Sequence, residues 1–149
     1  MIQTTPSEDA SGFWYYIPTI VSMKQAGTNM FLRTTETARW TGTFDGTSTE
    51  VDRVVIHDFI DFLSPTGFWF VKGEISFEGC VDGKSGTMFM TFVGKKPDLF
   101  SDWAGTWVIL SGTGELEALH GQGSWWGPGA PAPGFEGTIE YSGNIHFGA

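Results

Sequence analysis

Cysteine, basic residues and long apolar runs are all scarce in this sequence, and each scarcity excludes a class of protein. One cysteine, Cys80, among 149 residues cannot form an internal disulfide and cannot build a zinc site by itself. The chain has 8 basic and 17 acidic residues, a formal net charge of -9, which argues against nucleic acid and anionic membrane surfaces as partners. No apolar run approaches the ~20 residues that span a bilayer, and the acidic N-terminal stretch is not a secretory signal. We therefore expect a cytoplasmic protein.

Sequence motifs of cofactor and metal sites are missing as well. There is no phosphate-binding loop, dinucleotide fingerprint, GxSxG elbow, HExxH pair or paired CxxC, so cofactor-driven chemistry is not expected. The spacing of the 3 histidines gives no sign of three converging ligands. The sequence predicts no cofactor and no metal.

Aromatic residues are what the chain has in abundance, with 7 Trp and 13 Phe. A chain of 149 residues fits one domain and is long enough to bury a core. So many rings, with only 17% charged residues, either fill that core or present flat apolar surfaces to a ligand.

Alternating apolar and polar residues, separated by Gly and Pro turn signals, indicate about eight strands and no long amphipathic helix. The fold predicted is all-β, a single small antiparallel β-barrel over residues 1–149. Residues 1–12 are expected to be flexible, and residues 13–38 to form an N-terminal extension or added strands. The aromatic run in 13–38 either covers a barrel end or walls a ligand pocket. Eight strands leave an interior that side chains fill or that holds one small ligand.

The segment TWVILSGTGELEALHGQG, residues 106–123, organises the second half of the chain. Trp107 and Ile109 alternate with polar or smaller neighbours, and four glycines then interrupt the pattern, which predicts strand, bend and strand. Leu116 and Leu119 are three residues apart and cannot share a face of one regular strand. A bulge or a short helical turn must re-aim one of them.

Three ordered blocks carry a resemblance to a known family. The blocks are GTFDGTSTE (42–50), the glycine-punctuated residues 73–86, and GTGELEALHGQG (112–123). Over about 39–147 the chain resembles a bacterial domain-of-unknown-function family in the superfamily of allene oxide cyclase-like barrels. The resemblance implies an allene oxide cyclase-like or calycin-like barrel. It also implies a class of activity in which the barrel holds a reactive substrate in one conformation while a few polar groups stabilise developing charge.

Residues 51–63, VDRVVIHDFIDFL, read as a strand whose two faces are both mostly apolar. In a barrel one face looks into the lumen and the other looks outward. An apolar outer face implies a cover, either a subunit interface or the N-terminal segment. We therefore expect the protein to self-associate as a homo-oligomer.

Ionisable residues within these strands are the candidates for acid-base chemistry. Asp58 lies between two isoleucines, where burial would raise the pKa of its carboxyl group; an outward position with an ion pair is the alternative. His57 and Asp61 lie two residues apart and could relay a proton, or form an ordinary polar edge. Glu74 falls inside the block that resembles the family, or belongs to a solvated stripe. The catalytic candidates are Asp58, Glu74 and His57.

A pocket wall is expected from the aromatic residues and the methionines, which adapt to flat apolar ligands. The ligand-binding candidates are Trp69, Met88, Met90, Phe92, Trp107 and Tyr141. Core packing is the alternative for each of them. The Pro/Gly-rich loop WWGPGAPAPG, residues 125–134, could act as a lid.

Three hypotheses of function follow. The leading one is a cofactor-independent isomerase, cyclase or lyase acting on a small hydrophobic or aromatic metabolite bound in the lumen. The second is a non-catalytic carrier or sensor of a hydrophobic ligand, which would keep binding after its lumen carboxylates and histidines are removed. The third is a structural protein whose barrel is filled and whose outer surface only builds an oligomer.

Overall fold

The computed structural model describes residues 7–62, 67–128 and 134–148, and these residues form eight β-strands without a helix. The strands are β1 (Glu8–Ala26), β2 (Asn29–Gly42), β3 (Phe44–His57), β4 (Phe68–Val81), β5 (Lys84–Lys96), β6 (Trp103–Gly114), β7 (Leu119–Gly127) and β8 (Gly137–Phe147). Each strand pairs antiparallel with the next, and β1 pairs with β8, so the sheet closes on itself. The predicted all-β barrel of eight strands is confirmed.

Strand alternation directs one row of side chains from each strand into the barrel. On β4, the buried residues Trp69, Val71, Gly73, Ile75 and Phe77 alternate with exposed residues. The same pattern runs along β3, whose inward row ends at Ile56. Period-two alternation therefore determines which side chains form the lumen.

Turn chemistry sets the register of the hairpins. Asp82 and Gly83, both with positive φ (52° and 77°), form the two-residue turn between β4 and β5, as the sequence predicts. Between β6 and β7 a short turn carries Leu116, whose N–H donates to the carbonyl of Thr113, and the N–H of Leu119 donates to the carbonyl of Leu116. Both leucines are buried, so the predicted re-aiming between them is confirmed.

The N-terminal part of the chain supplies strands to the barrel, so residues 13–38 take the form of added strands. Residues 8–12, expected to be flexible, lie in β1, and Glu8 to Tyr16 pair with β8. Residues 13–38 supply most of β1 and β2 because the sheet needs both strands to close. Residues 1–6 lie outside the described residues.

Two other segments differ from the sequence prediction. The strand expected over residues 51–63 ends at His57, and residue 63 lies outside the described residues. The expected loop over 125–134 begins later, because Trp125 and Trp126 belong to β7. Residues 129–133 lie outside the described residues, so the lid stays a prediction.

Aromatic packing fills one half of the lumen. Phe44 stacks on Tyr141 with ring centroids 5.0 Å apart, and Trp14 stacks on Trp40 at 4.5 Å. Trp107 meets Phe44 edge to face at 5.6 Å. Such pairs contribute roughly 0.5–1.5 kcal/mol each beyond the area that they bury. This half of the barrel is a packed core.

The hydroxyl group of Tyr141 links this core to the barrel wall. It donates to the carbonyl of Thr41 at 3.0 Å and accepts from the N–H of Phe44 at 2.9 Å. Burial raises the pKa of Tyr141 to about 12, so the hydroxyl stays protonated at physiological pH. The two bonds satisfy backbone groups where the chain passes from β2 to β3.

The outer wall carries its own apolar residues. Phe31, Val55 and Phe70 are neighbours in register across β2, β3 and β4, and Phe31 and Phe70 are each 42% exposed. This outer row explains why both faces of the segment around β3 are apolar.

Among the described residues no helix has the length and apolar content to cross a membrane.

Replacing Tyr141 with Phe is predicted to destabilise the protein by about 1–3 kcal/mol, because the N–H of Phe44 and the carbonyl of Thr41 would lose a buried partner. Urea denaturation of the wild type and the variant measures the difference. The control is Tyr15→Phe, on the outer face of β1, for which we expect a change within about 0.5 kcal/mol. Equal stability of the wild type and Tyr141→Phe would contradict the role of the hydroxyl.

Candidate active site

The other half of the lumen is a cavity of about 550 Å³. It occupies the end of the barrel where β1, β3, β5 and β7 finish and the other four strands begin. Most of its wall is aromatic or aliphatic. The aromatic residues that line it are Trp14, Tyr16, Phe62, Trp69, Phe92, Trp103 and Trp125. A cavity of this size and character suits one small, largely apolar molecule.

Three acidic side chains interrupt this apolar wall on one side. Glu50 and Asp52 alternate along β3 and both face inward, while Glu36 on β2 lies opposite Glu50 in the register. One carboxylate oxygen from each lies within 4.8 Å of those of the other two. We call Glu36, Glu50 and Asp52 the acid cluster. Its geometry follows directly from the pairing of two neighbouring strands.

Burial dominates the electrostatics of the acid cluster. Glu50 is 4% and Asp52 2% exposed, and loss of hydration, followed by the charge of Glu36, raises the pKa of both carboxyl groups well above the usual range. Three carboxylates this close cannot all be ionised in a medium of low dielectric. At least one member of the cluster therefore carries a proton near neutral pH.

Few hydrogen bonds satisfy the acid cluster. The hydroxyl group of Thr34, which pairs with Asp52 across the two strands, donates to Asp52 Oδ2 at 3.5 Å. Glu50 Oε1 and Asp52 Oδ1 have no hydrogen-bond partner among the described residues. No lysine, arginine or histidine of the described chain lines the cavity. Two buried oxygens are thus left for a ligand or a shared proton.

Tyr16 adds a hydrogen-bond donor beside the acids. Its side chain lines the cavity and is 7% exposed. Burial, followed by the charge of Glu36, raises the pKa of its hydroxyl group, which therefore stays protonated. Gly137 makes room for the ring, since a Cβ at that position would lie 2.5 Å from Tyr16 Cζ.

Gly73 on β4 serves the same purpose for the acid cluster. A Cβ at this position would collide with Asp52 Oδ1 and with the ring of Phe92. Any larger residue here would displace one of the two side chains. The glycine therefore keeps the carboxyl group and the ring side by side on the wall.

A buried cation supports the aromatic wall. Lys96 is 0% exposed, and its Nζ lies 4.4 Å from the ring centroid of Trp69 and 5.0 Å from that of Trp103. It donates to the carbonyl of Leu99 at 2.9 Å, and burial lowers its pKa to about 8. Trp69 Nε1 is buried without a partner among the described residues, so the wall also offers a free donor.

The six predicted ligand-binding residues divide between the two halves of the lumen. Trp69 and Phe92 line the cavity. The other four are buried, but they do not line the cavity and belong to the filled half; they are Met88, Met90, Trp107 and Tyr141. Packing explains those four without a ligand.

The three predicted catalytic residues lie outside the cavity. Glu74 is exposed on the outer face of β4, between the inward positions of Gly73 and Ile75. His57 ends β3 on the outer face, with its Nδ1 3.2 Å from Asn29 Oδ1. Asp58 follows with φ 55° and is exposed. None of the three faces the lumen, because Glu74 and His57 have the outward parity of their strands and Asp58 follows the end of β3.

The acid cluster and Tyr16 are the site residues that sequence reasoning missed. A signal for them was present, since Glu50 and Asp52 share the parity of Val54 and Ile56 on β3. Extending that apolar row towards the N-terminus reaches two acids on the inward face. Glu36 could be added only by knowing the register of β2 against β3.

Neither a protein-family model nor a curated protein matches this sequence. The structure is similar to the crystal structure of a protein with unknown function from the DUF3224 family of Shewanella oneidensis MR-1. The TM-score is 0.66 at 14% identity, over 97% of this chain and 100% of the other. At this identity the likeness shows the fold alone. It agrees with the bacterial domain-of-unknown-function part of the sequence resemblance, and the allene oxide cyclase part stays a prediction.

The double variant Glu50→Gln/Asp52→Asn is predicted to be more stable than the wild type at neutral and higher pH. Because both carboxyl pKa values are raised on folding, the folded protein binds more protons than the unfolded chain, and stability falls as pH rises from about 4 through the raised pKa values. At pH values above the raised pKa values, the free energy of unfolding is lowered by about 1.4 kcal/mol for each unit by which folding raises a carboxyl pKa.

Thermal unfolding at a series of pH values measures this effect. We expect the wild type to lose stability with rising pH over that interval and the double variant to lose much less. Glu74→Gln, on the outer face, is the matched control and should follow the wild type. Parallel profiles for the wild type and the double variant would show that these carboxyl groups are not strained by burial.

Proposed function

We propose that this protein is a cofactor-independent enzyme that binds a small, largely apolar molecule in the cavity and isomerises, cyclises or eliminates it by proton transfer. The observation that carries the proposal is the acid cluster, Glu36, Glu50 and Asp52, buried at the wall of an otherwise apolar cavity. Carboxyl groups with raised pKa values inside a cleft are typical of catalytic sites.

The cluster has the properties of a general acid and base in one place. A protonated carboxyl of Glu50 or Asp52 donates a proton to the substrate, and an ionised neighbour removes one from another atom. The proton balance closes within the cluster, so the reaction needs no external oxidant or reductant. Positioned acid-base groups of this kind contribute about 10²–10⁴-fold to a rate.

The remaining cavity residues hold the substrate in one conformation. Tyr16 supplies a hydrogen bond to developing negative charge, and the rings of Trp14, Trp103 and Trp125 restrict the orientation of a flat molecule. Restriction of this kind lowers the entropic part of the barrier. The sequence resemblance to allene oxide cyclase-like barrels supports the same class of reaction.

Two further expectations from the sequence belong to this proposal. We expect a cytoplasmic protein whose partner is a small molecule. We also expect self-association, for which the exposed outer row of Phe31, Val55 and Phe70 supplies an apolar surface.

The rival function is a carrier or sensor that uses the same cavity without turnover. Replacing Glu50 and Asp52 by amides of the same shape distinguishes the two functions. An enzyme loses conversion while its cavity still binds; a carrier shows binding without conversion in every variant.

Incubating the protein with a small-molecule extract of its own host, followed by mass spectrometry of the extract, tests the proposal. We expect the wild type and Glu74→Gln to deplete one apolar metabolite and form a product, and Glu50→Gln/Asp52→Asn to convert it at least about 100-fold more slowly. Conversion at an equal rate by the double variant would contradict the role of the cluster. If a metabolite disappears from the extract without forming a product, and is released unchanged when the protein is unfolded, the protein is a carrier.

A further inference from the structure

We infer that the molecule in the cavity is an organic cation, a lipophilic amine or ammonium compound whose nitrogen is held by Glu50 and Asp52 of the acid cluster. The inference rests on the proposed function, since it uses the same cavity, and it names the chemical class of the ligand. It stands on three features of the cavity: an uncompensated charge, two unpartnered oxygens and an aromatic enclosure.

The charge balance of the cavity favours a cation, because any member of the acid cluster that is ionised has no counter-charge on the cavity wall. Among the described residues the acid cluster supplies every charged side chain that lines the cavity. The buried cation of the barrel, Lys96, is held behind the rings of Trp69 and Trp103 and bonds to the carbonyl of Leu99. Buried charge without a counter-charge is costly, and a bound cation removes that cost.

The hydrogen-bonding capacity of the acids matches an ammonium group. Glu50 Oε1 and Asp52 Oδ1 are both more than nine-tenths buried and lack a partner among the described residues. Both residues line the cavity. An ammonium group has several N–H donors and can satisfy two acceptors at once. A neutral apolar ligand would offer these oxygens no donor, and only a proton shared within the acid cluster would satisfy them.

The walls around the acids favour an organic cation over a metal ion. A divalent ion such as Ca²⁺ needs about 6–8 oxygen ligands. The three carboxylates of the cluster reach six only if each binds through both oxygens, and the rest of the cavity wall is mainly rings. Trp14, Trp69, Trp103 and Trp125 present aromatic surfaces, to which organic cations are attracted by the ring quadrupole. The apolar remainder of such a ligand fills the cavity.

Trp69 adds an observation that is independent of the acids. Its Nε1 is a buried donor without a partner among the described residues, on a ring that lines the cavity. We therefore expect the ligand to carry a hydrogen-bond acceptor in addition to its cationic nitrogen. Outside the cavity, the net charge of -9 draws cations towards the protein.

Catalysis remains possible with such a ligand. The ammonium group is paired by one ionised member of the cluster, and another member stays available to exchange a proton with the adjacent carbon skeleton. Binding also shifts the protonation of the cluster, because a cation lowers the pKa of the carboxyl groups beside it. Uptake of an ammonium ion is therefore expected to release protons from the cluster.

Two matched probes test the inference, 2-naphthylmethylamine, which is cationic at neutral pH, and 2-naphthylmethanol, its neutral counterpart. Isothermal titration calorimetry with the whole protein measures both. We expect the amine to bind at least about tenfold more tightly than the alcohol. We expect Glu50→Gln/Asp52→Asn to abolish that preference while the alcohol binds as before, and Glu74→Gln to behave as the wild type.

The outcomes separate this inference from the proposed function. Equal binding of the amine and the alcohol would overturn the cationic ligand and leave the cavity as a site for neutral molecules. Binding of neither probe would contradict both. A preference for the amine that survives in the double variant would overturn the role of Glu50 and Asp52, and loss of amine binding on adding Ca²⁺ or Mg²⁺ would assign the cluster to a metal ion.

A measurement on the wild type alone tests the inference even if the double variant does not fold. Titration of the amine in buffers of different ionisation enthalpy reports the protons released on binding. We expect proton release on binding and an affinity that rises with pH, because burial raises the pKa values of Glu50 and Asp52 and the ammonium group binds their ionised form. Binding without proton release and without pH dependence would overturn the inference.

Discussion

The placement of two carboxyl groups in an apolar lumen without a counter-charge is the constraint on which the structure depends. Glu50 and Asp52 cannot move to solvent, because β3 is paired on both sides and its alternation fixes which side chains face inward. The cross-strand neighbours Glu36 and Thr34 are fixed by the same register. The closed sheet thus holds in place a cluster that a more flexible scaffold would release into water.

Division of the lumen into two halves makes this placement tolerable. One half is a packed aromatic core, tied to the wall by the hydroxyl of Tyr141, and it supplies the stability that offsets the buried acids. The other half is left open and lined by rings that are themselves restrained, as Lys96 restrains Trp69 and Trp103. A binding site with a rigid wall orders its ligand at low entropic cost.

Sequence patterns predicted the architecture better than the site, for a physical reason. The turn at Asp82 and Gly83 and the re-aimed pair Leu116 and Leu119 are local features, readable from spacing and turn chemistry. Whether a residue belongs to the site depends on which of the two alternating rows of its strand faces the lumen and on where the strand ends. The apolar pattern continues past His57 although the strand does not, so the pattern alone left a lumen and an outward position open for Asp58. The pairing of Glu36 with Glu50 is a non-local contact that no single segment encodes.

Native mass spectrometry of the protein purified from its own host tests the central claim most directly, that the lumen is a ligand site. We expect one retained small molecule, largely apolar, that is released on unfolding and identified by its fragments. A protein that arrives empty and also takes up no fluorescent hydrophobic probe would contradict the account, and would leave a barrel whose rings and acids serve the fold alone.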